Sequence, residues 1–154
     1  MKLKKKIGFV LLIGFVAIQF IQPAHNKTDK VLPTDITNTV VVTNQVLNIL
    51  QNSCYDCHSN NTRYPWYSFI QPGAWLMASH IRRGKVMLNF NQFGDLSNRK
   101  QQSKLQGIVN QIKDNEMPLS SYTLLHRNAI LTAEQKAILI NWATSAKDSL
   151  SLKN

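Results

Sequence analysis

Acidic side chains are scarce in this chain: 8 Asp and Glu stand against 18 Lys and Arg in 154 residues, a formal net charge of +10. Cysteine is scarcer, with two. That count leaves a structural zinc site, which takes four Cys or His ligands, dependent on histidines that sit at no finger-like spacing. No segment alternates apolar and polar residues long enough to read as a strand, and neither an internal repeat nor a low-complexity tract is present. Helices are therefore the expected building material, in one domain of modest size.

The two cysteines are not scattered. They fall in Cys54-Tyr55-Asp56-Cys57-His58, the attachment signature of c-type haem. Two thiols add across the haem vinyl groups as thioethers, and the adjacent imidazole becomes the proximal iron ligand. A thioredoxin-type Cys-x-x-Cys would need a preceding strand and a helix starting at the first cysteine, whereas the residues before Cys54 have a helical pattern. A plain disulfide would leave His58 without a role. The cofactor expected is covalent haem c.

The N-terminus has its own pattern. Lys2, Lys4, Lys5 and Lys6 precede an apolar run from Ile7 to Ile21, broken only by Gln19 and stopped by Pro23. This layout reads as a secretory signal peptide or a short membrane anchor. No small-x-small cleavage site follows the run, so an uncleaved anchor is the preferred reading, and no cysteine follows it to take a lipid. The lysines hold the head in the cytoplasm and send the rest to the periplasmic side of the membrane. Setting those four lysines aside leaves +6, part of it clustered at Arg82, Arg83, Lys85, Arg99, Lys100 and Lys104. Such a cluster suits an acidic redox partner protein or anionic lipid headgroups, or is a solvated face. Nucleic acid is an unsuitable partner for an exported chain.

Residues 1–23 are thus read as signal or anchor, 24–42 as linker, 43–147 as the haem-binding domain and 148–154 as tail. Val42, Val46, Ile49 and Leu50 mark one helix face running up to Cys54. Asn60 to Gln71 is aromatic and turn-rich, a loop expected to cover the haem. Pro72 and Gly73 open a second helix with Ala74, Met77, Ala78 and Ile81 on one face, and Gly84 is its expected stop. After an irregular stretch, Ser97 is placed as the cap of a helix carrying Leu105, Ile108, Val109 and Ile112, which ends before Met117-Pro118. Thr132-Ala133-Glu134-Gln135 reads as a capping box opening the last helix, with Ile138, Leu139 and Trp142 behind it. The fold class expected is all-α, a small cytochrome-c-like domain around one haem.

Beyond the motif, Ser59-Asn60, Tyr64-Pro65-Trp66-Tyr67, Gly84 with Leu88-Asn89-Phe90, Glu116-Met117-Pro118 with Tyr122 and His126, and Trp142 occur in order. Over roughly Val46 to Ala143 the chain resembles the cytochrome-c-like haem-binding domain family of bacterial exported proteins. Leu119 departs from it, where members often carry a second proline. The resemblance implies a haem and a cytochrome-c-like fold; it names no substrate.

The ligand opposite His58 decides what such a site does. Met117, in a loop stiffened by Pro118 and ahead of the last helix, is the expected choice, and a thioether there favours electron transfer. His80 is the alternative ligand. Arg63 and Trp66 are expected to donate hydrogen bonds to haem propionates, with Tyr64, Tyr67 and Trp142 walling the ring. The function expected is a one-electron carrier without substrate turnover. The alternatives are a haem-based gas or redox sensor with a displaceable sixth ligand, and then a peroxidase-type enzyme.

Overall fold

The computed structural model describes residues 3–28, 30 and 32–152; Lys2 of the basic head lies outside the described residues. Eight α-helices follow in order: α1 (Leu3–Ile18), α2 (Ile36–Thr39), α3 (Asn44–Ser53), α4 (Tyr55–His58), α5 (Gly73–Met87), α6 (Asn98–Lys113), α7 (Ser120–Thr123) and α8 (Ala133–Ser151). Short 3-10 turns at Trp66–Phe69, Phe90–Asp95 and Arg127–Ala129 join them, and there is no strand among the described residues. The all-α expectation holds.

The core follows the helical period. Val46, Ile49 and Leu50 of α3, Leu105, Val109 and Ile112 of α6, and Leu139, Trp142, Ala143, Ala146 and Leu150 of α8 form one buried cluster. Burial of such a side chain contributes about 1.5–3 kcal/mol. Thr132 opens α8 with the expected capping box: the Gln135 amide donates to Thr132 Oγ1 at 3.1 Å, and the Thr132 amide donates to Gln135 Oε1 at 2.9 Å. Ser97 stands at the start of α6, but its side chain makes no cap hydrogen bond. The far end of α6 closes as a Schellman turn. Asn115 has φ 57, the Glu116 amide donates to the Gln111 carbonyl, and the Asn115 amide donates to that of Ile112. That turn releases the chain toward Met117.

Four expectations change. The segment 24–42 is not a slack linker, because Ile36 and Val40 join the core and Asn26 is bonded into the domain. Polar composition hid this, since the segment is held largely by polar side chains such as Asn26 and Asp35, whose partners lie far along the chain. The stretch after α5 is not merely irregular: Phe90 and Phe93 are buried on a 3-10 turn, whose threefold period does not register as a helical face. Gly84 does not stop α5, which continues to Met87. The tail is still helix as far as Ser151, with Leu150 buried in the core.

α1 carries no buried side chain, and no helix among the described residues is long and apolar enough to cross a membrane.

Candidate functional site

Cys54 has φ −130 and ψ −39, which ends α3 and begins the single turn α4. The amides of Cys57 and His58 both donate back to the Cys54 carbonyl, at 3.2 and 3.0 Å. Residues three apart on such a turn share a side, so the two sulfurs and the imidazole are presented together. α5 holds the turn from behind. A Cβ built on Gly84 would stand 2.6 Å from the Cys57 carbonyl oxygen, closer than real contacts come. Glycine is needed in mid-helix for that approach.

The imidazole is oriented by its second nitrogen. His58 Nδ1 lies 2.9 Å from the Leu88 carbonyl oxygen, which can only accept, so Nδ1 bears the proton and Nε2 keeps its lone pair. Burial lowers the His58 pKa against the raising effect of hydrogen bonds to the backbone of Leu88 and Gly84, which favours the neutral ring an iron ligand needs. Phe90 packs edge-on to it, with ring centroids 6.1 Å apart.

Burial pushes the Cys54 thiol up to about 12, with the Cys57 charge adding to it. Burial likewise pushes Cys57 up to about 11, helped by Asp56. Thiols so placed stay protonated near neutrality, the wrong state for thiol–disulfide exchange. No group of three or more His, Cys, Asp or Glu that could hold a metal ion occurs among the described residues.

Two cavities meet at the motif. One, of about 390 Å³, runs between α3 and α6 and is lined by Leu50, Phe90, Ile108, Ile112 and Leu139. The other, of about 300 Å³, opens toward α5 and includes Cys57, His80, Arg83, Gly84 and Tyr122. Cys54, His58, Met87 and Met117 line both. The space is wide enough and apolar enough for a flat macrocycle, with sulfur and imidazole donors converging on it. The residues fit a haem.

Met117 is therefore brought to His58, and His80 reaches the second cavity. Met87, at the end of α5, also lines both spaces. Arg63 and Trp66 are not brought there: neither lines these cavities, and Trp66 is 76% exposed. The Arg63 side chain turns back along the motif turn, its Nε donating to Asp56 Oδ1 at 3.3 Å and its Nη2 to the Gln51 carbonyl at 2.7 Å. Arg83 and Lys104 are the cations at the cavity edges instead. Tyr64, Tyr67 and Trp142 also stand outside. Tyr64 stacks on His25, Tyr67 meets His126 at 3.2 Å, and Trp142 donates to the Val41 carbonyl at 2.9 Å.

The residue that sequence reasoning missed is Asp56, inside the motif itself. It is buried and accepts from the Arg63 amide at 3.1 Å through Oδ1 and from the Tyr122 hydroxyl at 2.7 Å through Oδ2. Burial, followed by this hydrogen bond, raises the Tyr122 pKa. A buried carboxylate needs such partners, and the aspartate between the cysteines was the available signal.

A family model described as a haem-binding domain matches residues 13–145. No curated protein and no solved structure matches the chain.

Proposed function

The chain belongs to the haem-binding domain family, and on that premise we propose that it holds one haem c and passes single electrons. Cys54 and Cys57 would anchor the haem covalently, and His58 and Met117 would ligate its iron. One observation carries the reading: a histidine with its Nδ1 committed to Leu88 shares both cavities with Cys54 and Met117. Bound haem supplies the one-electron iron couple.

The chain's own contribution is positional. Leu88 fixes the ring of His58, Gly84 lets α5 close behind Cys57, and Leu50, Ile108 and Ile112 keep water from the iron's surroundings. The Schellman turn at Asn115 ends α6 two residues ahead of Met117, so the thioether is delivered from a defined point. Arg83 and Lys104 have no ion pair among the described residues and give the cavity rim a positive character suited to propionates or to an acidic redox partner. The basic head and α1 hold the domain on the periplasmic side of the cytoplasmic membrane, uncleaved, and no substrate is turned over.

The test is the optical spectrum of protein co-produced with a c-type haem attachment system, oxidised and reduced, with and without carbon monoxide, after acid-acetone extraction. Haem that resists extraction, stays low-spin and ignores carbon monoxide is expected. Met117→Ala should open the iron to carbon monoxide, while Met87→Ala and His80→Ala should not. Extractable haem sinks the covalent assignment. The peroxidase-type reading, ranked after the sensor, has one observation in its favour, since His80 and Arg83 share the second cavity with His58. Wild-type protein that binds carbon monoxide readily and consumes peroxide would make those two residues a peroxidase pair and displace the electron-carrier reading.

A further inference from the structure

Residues Gln19 to Ile21 continue α1 by tighter turns, their amides donating to the carbonyls three residues back. The chain then first meets the domain around Gln71. Gln71 donates its amide to Gln19 Oε1 at 2.9 Å and its side-chain Nε2 to the Ile21 carbonyl at 2.8 Å. Trp75 Nε1 donates to the same Ile21 carbonyl at 3.1 Å, and Gln22 Nε2 to that of Phe69 at 3.2 Å.

Around this junction the domain surface is apolar. Trp66, Phe69, Ile70, Trp75 and Leu76 are exposed by 40 to 76%. Side chains three apart on a 3-10 turn eclipse, which stacks Trp66 and Phe69 on one side. Phe20 and Ile21 of the incoming chain are exposed beside them, at 85% and 62%. The contrast with the third tryptophan is direct: Trp142 is 9% exposed and packed in the core.

Lengths say what covers this surface. At 1.5 Å per residue the run Ile7 to Ile21 extends about 22 Å, against about 30 Å of bilayer hydrocarbon. A helix that short draws its flanks toward the membrane. Here the flank is a patch holding two tryptophans, side chains that settle at the headgroup boundary. Further along α5, Arg82 and Lys85 line a separate cavity of about 430 Å³ with His25 and Tyr64, adding positive charge on the side that Ala24 and Asn26 follow.

We propose that Trp66, Phe69, Ile70, Trp75 and Leu76 form a second membrane contact, which seats the domain in the headgroup boundary of a phospholipid bilayer next to the α1 anchor. This rests on the reading of α1 as an anchor. The partner is the lipid surface, and the domain lies against it instead of standing off on a tether.

The full chain, loaded with haem, is reconstituted in vesicles of zwitterionic and anionic phospholipid containing a phosphatidylcholine with a diazirine on its acyl chain. Crosslinks are mapped by mass spectrometry after illumination. Crosslinks in α1 and again within residues 66–76, with none around Trp142, are expected. The triple substitution Trp66→Ser, Phe69→Ser, Leu76→Ser should abolish the second set and leave the first, with the haem spectrum unchanged. Crosslinks confined to α1 would overturn the second contact while leaving the anchor standing. Absence of crosslinks in α1 would remove the anchor itself, and the proposal with it.

Discussion

The packed pair α6 and α8 and the turn that carries Cys54 to His58 are held by different forces. Between the two helices the contact is apolar, with Leu105, Val109 and Ile112 facing Leu139, Ala143 and Ala146. Around the turn the buried groups are polar: Asp56, Ser59, Thr62 and Asn89. Each has a directional partner, as in the 2.6 Å bond from Thr62 Oγ1 to the Asp56 carbonyl and the 2.9 Å bond from Asn89 Nδ2 to Asn60 Oδ1. Apolar contact scales with area and tolerates swaps of similar volume, whereas a hydrogen-bonded scaffold fixes position and fails at single atoms. The first region stabilises the fold; the second fixes where Cys54, Cys57 and His58 stand.

That division can be broken from either side. The largest effect is expected from Gly84→Val, which drives a branched side chain into the Cys57 backbone; haem-stained protein should fall below detection, and wild-type yield would show that α5 need not approach so closely. Leu105→Ala, at a fully buried site, should cost about 2–5 kcal/mol in urea unfolding and leave the haem spectrum unmoved. A moved spectrum would mean that the core also aims the ligands.

Tyr122→Phe removes the donor to Asp56 and should cost about 1.5–3 kcal/mol, the worth of a hydrogen bond to a charged group. It also has a pH signature. The folded pKa of Tyr122 is raised, chiefly by burial, above its ordinary value of 10.0, so its contribution is fully present below pH 10 and is lost as pH climbs beyond it. The gap between wild type and Tyr122→Phe should therefore shrink from pH 8 to pH 11, and a constant gap would contradict the assignment. Smallest is Thr132→Ala, about 1 kcal/mol from the lost cap, with no change at the site.

What the sequence disclosed follows the same line. Val46, Leu105 and Leu139 were legible because a helix face repeats every three or four residues, and the grouping of Cys54, Cys57 and His58 because they are neighbours in the chain. That Met117 lies by the same cavities was legible from its loop. Asp56 was not, since its role depends on Tyr122, 66 positions downstream. Gly84 read as a stop because a glycine's need for close approach shows only when the approaching backbone is in view. Arg63 was assigned outward to a cofactor, while the nearer carboxylate of Asp56 claimed it. Periodicity reports burial; it does not report which polar groups find each other.

The docked segment from Gln19 to Thr28 bears on where the domain can go. A slack 19-residue linker over 24–42 would have let it roam about 24 Å from its point of attachment, far enough to commute between a donor and an acceptor. With Asn26 bonded to Ser59, Thr62 and Lys85, that leash is reeled in. Under the electron-carrier proposal, donor and acceptor must then come to the domain.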